Sequence, residues 1–177
     1  GEPAWNVDVN GFADSIEEDL GRRDFTINAM AVPISDWPSP NTVIDPFGGK
    51  ADLATKTIRA LSSEVFRDDP GRLLRAIRLA GQLKFRVEPS TSKQIRIDSG
   101  LLADVSPERI RDEFLNILSI EGSKAQLEVL DHFDLLEQVI PELQHGKGVD
   151  QPNMHYWDVW GHTMHTVEAA ELIVKGH

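Results

Sequence analysis

Up to Leu61 the chain is made of short apolar runs separated by turn formers. From Ser62 onward the strand signals stop and helical periodicity takes over. Before the switch, residues 15–20 read as a short helix, with Asp14 or Ser15 as its cap, acids in its first turn and Gly21 at its end. Residues 25–34 are ambiguous between strand and buried helix, a turn and then a strand over 29–34 being favoured; a proline-rich loop at 36–41 and a short strand at 42–44 follow. Residues 45–50 read as a turn into a brief helix at 51–56, and 57–61 as another strand. After the switch, helices are expected over 69–85, with Pro70 in the first turn and Leu73, Ala76, Ile77 and Ala80 on one face. Further helices are expected over 90–102, from Ser106, over 123–133 and over 157–174. In the Ser106 helix Ile110, Phe114, Ile117 and Leu118 recur at i, i+4, i+7, i+8; Leu127 and Leu130 mark the next. The expected fold class is α+β and mostly helical: a small sheet-bearing piece followed by a helical array.

With 177 residues and 40% hydrophobic content, the chain can bury one full core or two small ones. It has no cysteine, which excludes disulfides, a thiolate nucleophile and Cys-ligated metal sites. No apolar stretch is long enough to span a bilayer and no signal-peptide pattern opens the chain, so a cytoplasmic protein is expected. A first residue of Gly, not Met, points to a processed or excised piece of a longer protein. A net charge of −11 excludes a surface that is positive throughout, but not a local cationic site.

Such a site exists in the sequence. Residues 67–86 carry Arg67, Arg72, Arg75, Arg78, Lys84 and Arg86 against Asp68 and Asp69, a local net of +4. Asp69, Arg72, Arg75 and Arg78 are spaced by three, which on a helix gives a row winding by about 60° per step. A three-arginine row is by itself more often a solvated face with local ion pairs. Its functional use would be guanidinium forks on phosphate oxygens, with an Asp and an Arg one turn apart offering acceptor and donors to a base edge. A second, weaker cluster is Arg22-Arg23-Asp24 with Asn28, suited to a phosphate (Arg23) and a sugar hydroxyl (Asp24, Asn28), although caps and surface pairs more often account for such charges.

These pieces together resemble one family. Glu17-Glu18-Asp19-Leu20-Gly21-Arg22-Arg23-Asp24-Phe25-Thr26-Ile27-Asn28-Ala29-Met30-Ala31 is similar to the second motif of bacterial tRNA nucleotidyltransferases (CCA-adding enzymes) and their poly(A) polymerase relatives. Asp45-Pro46-Phe47-Gly48-Gly49-Lys50-Ala51-Asp52-Leu53 resembles the third motif. Asp68-Asp69-Pro70-Gly71-Arg72-Leu73-Leu74-Arg75-Ala76-Ile77-Arg78 resembles the fourth, and Ser106-Pro107-Glu108-Arg109-Ile110-Arg111-Asp112-Glu113 the fifth. The four stand in family order over about residues 15–120. Where the family usually has Glu and a bulkier residue, this chain has Asp68 and Gly71.

The resemblance implies the remnant of a polymerase-β-like palm over 1–61, a helical neck and RNA-binding array over 62–145, and over 146–177 a linker and the start of an HD-like helical domain. It implies that Arg23, Asp24 and Asn28 serve the ribose and triphosphate. Asp69 and Arg72 would pair with the Watson–Crick edge of ATP or CTP, and Arg75 and Arg78 would face phosphates or neck-side nucleotide contacts. On this reading Asp69 and Arg72 open into the same cleft as Arg23. The implied activity is addition of CMP and AMP, or AMP alone, to the 3′ end of tRNA or another RNA, with Mg²⁺ in the complete enzyme.

The family's first motif, a Gly-rich turn with Asp-x-Asp for two metal ions, is absent: Asp8-Val9-Asn10 lacks the second carboxylate. Residues 1–177 alone are therefore expected not to catalyse transfer. That leaves a silent nucleotide- or RNA-binding module as the rival reading. A third is an HD-type phosphohydrolase: among His155, Asp158, His162 and His165 the step from Asp158 to His162 is one helical turn, and the resemblance of this segment to the start of an HD domain implies His162 as the first ligand, although a surface histidine on an amphipathic helix is the commoner case.

Overall fold

The computed structural model describes residue 11 and residues 15–36, 42–150 and 156–174. Asp8, Asn10, Asp14, the loop after Asp36 up to Asn41, and His155 lie outside these residues. Among the described residues helix predominates, with one two-stranded parallel sheet, so the fold is α+β and mostly helical.

Helix α1 (Ile16–Gly21) starts where Ser15 Oγ accepts from the Glu18 N–H at 3.2 Å. The strand expected over 29–34 does not form. Thr26–Asn28 is a 3-10 turn, Ile34–Asp36 another, and between them Ala31 makes a lone antiparallel bridge to Ile44. Pro33 has no N–H to donate, which stops the pairing from extending. The same bridge is all that forms of the strand expected over 42–44. Helix α2 (Gly49–Ala54) follows the turn at Asp45, whose Oδ1 and Oδ2 accept from the N–H groups of Gly49 (2.6 Å) and Lys50 (3.0 Å).

The strand expected over 57–61 divides between two partners. β1 (Thr57–Ile58) pairs in parallel with β2 (Arg86–Val87), while Ala60 bridges antiparallel to Phe25. β2 goes unseen in the sequence because it is two residues long and begins just beyond Phe85, after Lys84 closes a helix in the left-handed conformation.

The helix expected over 69–85 is shorter, and a separate turn of helix, α3 (Val65–Asp68), precedes it. Asp69 is extended (φ −150°, ψ 95°), as the clash between a proline ring and the preceding backbone dictates. Helix α4 is thus Arg72–Leu83. The segment expected as one helix over 90–102 is α5 (Pro89–Asp98) running into a 3-10 helix (Ser99–Asp104). α6 (Pro107–Leu118), α7 (Ser123–His132) and α9 (Val159–Val174) match their patterns, while α8 (Leu136–Val139) and the 3-10 helix Pro141–Gly146 are too short to show periodicity.

One continuous core joins these pieces. Phe25 and Ile58 pack with Leu73, Leu74 and Ile77 of α4, Ile95 of α5, Ile117 of α6 and Leu127 and Leu130 of α7. α9 is fastened at its far end, where Glu171 accepts from the Gly122 and Ser123 N–H groups at 2.8 and 3.0 Å, at the start of α7. Among the described residues no helix is long and apolar enough to cross a membrane.

Candidate functional site

The turn after α1 and the start of α4 face each other across a cleft of about 250 Å³, lined by Arg22, Arg23, Asp24, Asn28, Asp69, Arg72, Arg75 and Arg109. Four arginines and two aspartates thus share its wall with the Arg22 residue. Two larger grooves, of about 690 and 590 Å³, lie beside α4 and α7 and among α6, α7 and α9; neither gathers charge in this way. The cleft is smaller than the roughly 300–1,000 Å³ usual for ligand pockets, so the described residues would cover only part of a nucleotide.

Asp24 is the buried anchor, 8% exposed. Its Oδ1 accepts from the Phe25 N–H (2.8 Å) and Asn28 Nδ2 (3.0 Å), and its Oδ2 from Arg75 Nε (2.5 Å). These contacts bind the turn to α4 and fix the plane of the Arg75 guanidinium. No other described residue takes the two terminal nitrogens of Arg75, which remain as a donor pair. Arg23 lies at the rim, exposed, with one nitrogen on Asp19 at 2.8 Å.

Arg72 reaches across from the first turn of α4. Its Nη2 donates to the Arg22 carbonyl at 2.9 Å and its Nη1 to the Val65 carbonyl at 3.4 Å, while Nε stands 3.7 Å from Asp69 Oδ2. Asp69 accepts from the Gly71 N–H at 3.1 Å and from both terminal nitrogens of Arg109, each at 2.7 Å. The hydrogen bonds from Arg109 outweigh the effect of partial burial and hold the Asp69 carboxyl below the ordinary carboxylate range, so it is ionised at neutral pH.

Of the residues singled out in the sequence, Arg23, Asp24, Asn28, Asp69, Arg72 and Arg75 line this cleft. Arg78 does not. Two steps of about 60° carry it away from Arg72, and its Nε donates to Glu113 of α6 at 2.6 Å. Arg109 belongs to the site and was missed, because nothing near it in the chain points to Asp69, 40 residues away. The one usable signal was Gly71, a glycine at a helix start where the backbone needs no positive φ and where close approach of another group is the remaining reason for it.

At the other end of the chain, Asp158 is committed to the backbone, its Oδ1 on the Gly161 N–H (2.7 Å) and its Oδ2 on the Gly148 N–H (2.8 Å). His162 lies exposed on α9, and His165 packs against the Trp157 ring. Among the described residues no three His, Asp or Glu side chains are placed to hold a metal ion.

Comparison with known proteins adds independent findings. Residues 2–59 match the "Poly A polymerase head domain", and residues 84–146 match the "Probable RNA and SrmB- binding site of polymerase A". The chain is 35% identical over 153 residues to the A-adding tRNA nucleotidyltransferase of Deinococcus radiodurans, covering 84% of this chain and 34% of that one. Among solved structures, a tRNA-processing enzyme in an apo form superposes with TM-score 0.71 at 34% identity, over 93% of this chain and 43% of that one. A CCA-adding enzyme in complex with ATP superposes with TM-score 0.65 at 36% identity, over 77% and 32%. The chain therefore spans about a third of the length of the curated relative it matches.

Proposed function

Since this chain belongs to the family of bacterial tRNA nucleotidyltransferases and poly(A) polymerases, we propose that its cationic cleft binds the nucleoside triphosphate that is added to an RNA 3′ end. In this reading Asp69 and Arg72 meet the base edge, Asp24 and Asn28 the ribose, and Arg23 and Arg75 the triphosphate. The whole protein adds CMP and AMP, or AMP alone, from CTP and ATP to tRNA. Residues 1–61 are the remnant of the head, 62–145 the neck and RNA-binding array, and 146–177 a linker into an HD-like domain. A tRNA substrate accords with a cytoplasmic location.

The observation that supports this most is the convergence of segments about 45 residues apart on one cleft with five arginines and two aspartates, in a chain of net −11. Such a cleft offers fork-shaped donors for phosphate oxygens, and beside them a mixed acceptor–donor pair for a base. Arg78 serves here as a strut between α4 and α6 rather than as a ligand group.

Mg²⁺ belongs to the transfer step of the complete enzyme, where it would stabilise the attacking and leaving oxygens. The described residues do not form a site for it. In this reading the part of the described residues is to hold and select the nucleotide. Titration of the chain with ATP and CTP tests this. Saturable binding that weakens in Arg75→Ala is expected; binding unchanged by that substitution would refute the site.

A further inference from the structure

Asp69 does not stand alone in the cleft. Arg109, on the first turn of α6, meets it end-on, one terminal nitrogen on each carboxylate oxygen at 2.7 Å. This approach is possible because residue 71 is glycine. A Cβ on Gly71 would lie 2.5 Å from Arg109 Cζ, 2.7 Å from Nη2 and 2.8 Å from Nε, inside van der Waals contact with the whole guanidinium. Gly71 has φ −60° and ψ −20°, which any residue adopts, so its backbone does not call for glycine. What calls for it is the space filled by Arg109.

A carboxylate offers about four lone-pair positions. Arg109 takes one on each oxygen, and the Gly71 N–H takes a second on Oδ1. One position remains, on Oδ2, the oxygen that faces Arg72 Nε at 3.7 Å. The pair left open is thus a single acceptor beside a guanidinium. An exocyclic amino group next to a ring nitrogen acceptor, as in adenine and cytosine, complements that order. Guanine and uracil present a carbonyl oxygen where the amino group should be, and it would meet the carboxylate with like charge. The ion pair is half-exposed on the Arg109 side, the setting in which such a pair adds little to stability, so its consequence is mainly orientation.

We propose that Arg109, seated over Gly71, is a positioning residue that sets nucleotide specificity by pinning the Asp69 carboxylate with one acceptor open, so that the cleft takes amino-bearing bases and rejects keto-bearing ones. This rests on the nucleotide site proposed above and deepens it. In this arrangement Arg109 and Gly71 act through Asp69.

The test is calorimetric titration of the full chain with ATP, CTP, GTP and UTP, for the parent and for Arg109→Ala, Arg109→Lys and Gly71→Ala, with thermal melting alongside. The parent should bind ATP and CTP about tenfold or more tighter than GTP and UTP. Arg109→Ala should narrow that ratio to about threefold or less. Gly71→Ala should do the same with every charge retained, because its methyl displaces the guanidinium, and it should melt no lower than the parent. Arg109→Lys, a point charge without a fork, should fall between. Equal weakening toward all four nucleotides, or an unchanged ratio in Arg109→Ala and Gly71→Ala, would overturn the inference. So would a parent chain that binds all four alike, which would leave the triphosphate site standing. A parent chain that binds none of them would instead overturn the site itself, and this inference with it.

Discussion

Arg72 and Arg75 sit one turn apart on α4 and are held by different partners. Arg72 is held by two backbone carbonyls, those of Arg22 and Val65, with its Nε edge toward Asp69. Arg75 is held by the Asp24 carboxylate, with its terminal nitrogens outward. The first arrangement suits a base edge and the second a phosphate. Arg72→Ala should therefore erode discrimination between nucleotides by about 1–3 kcal/mol while triphosphate affinity changes less. Arg75→Ala should weaken ATP and CTP alike, and should also leave the buried Asp24 without its charged partner. Paired affinity measurements with nucleoside and nucleoside triphosphate separate the two effects, and the reverse pattern would exchange the roles.

Glu88 carries a second residue-scale consequence, this time for stability. It caps α5, accepting from the Thr91 N–H at 2.9 Å and from Ser90 Oγ at 2.5 Å, and stands 3.5 Å from Arg59. Burial pushes its carboxyl up, but these hydrogen bonds and the Arg59 charge outweigh burial and bring it from 4.5 down to about 2. A carboxyl lowered on folding stabilises the fold above its unfolded value and loses that contribution as pH falls toward the folded one. Between about pH 4.5 and pH 2 the chain should thus lose roughly 1–3 kcal/mol from this group. Melting temperature against pH checks this: Glu88→Gln should show a shallower fall over that window than the parent.

At the scale of elements, the turn at Asp45–Lys50 shows how tightly the head is assembled. Gly48 takes φ +75°, and Gly49 is packed so closely that a Cβ there would lie 2.3 Å from the Thr26 carbonyl oxygen and 2.9 Å from Met30 Cγ. Backbone cannot swing aside as a side-chain end can, so Gly49→Ala should destabilise by about 1–3 kcal/mol, read as a lowered denaturant midpoint. Gly71→Ala, which meets only the movable end of Arg109, should not. Asp52 holds the same junction from the other side, on Thr26 Oγ1 at 2.7 Å and Arg59 Nε at 2.9 Å.

What was legible in the sequence follows from element length. α6 and α7 span ten or more residues, enough turns for Ile110, Phe114 and Ile117, or Leu127 and Leu130, to declare a face. α3 and α8 have four residues each and β1 and β2 two, so their formation depends on partners distant in the chain. The site divides in the same way. Arg23, Asp24, Asn28, Asp69, Arg72 and Arg75 lie in two local charge clusters and could be singled out together. Their mutual arrangement could not, because Asp69 leaves the helical row at Pro70 and its main partner arrives from α6.

For the whole molecule, the cleft and the charge balance set what residues 1–177 can do unaided. A net charge of −11 repels RNA over most of the surface, so binding to a polyanion must be confined to cationic patches such as the cleft. Holding a triphosphate needs only the charge-assisted donors that Arg23 and Arg75 supply there. Transferring the nucleotidyl group needs more, since enzymes of phosphoryl chemistry work chiefly by positioning and by charge stabilisation at metal ions. The sequence has no Asp-x-Asp, and the acids nearest the cleft are already committed: Asp24 to Asn28 and Arg75, Asp69 to Arg109, and Asp19 to Arg23. The chain purified by itself should accordingly bind ATP, and should incorporate no nucleotide into tRNA lacking its terminal residues when Mg²⁺, ATP and CTP are supplied. Labelled-ATP titration followed by a transfer assay on the same preparation measures both halves. Robust turnover would show that the carboxylates reside within these 177 residues after all, with Asp8, Asp14, Glu17 and Asp19 the first to be replaced by asparagine or glutamine.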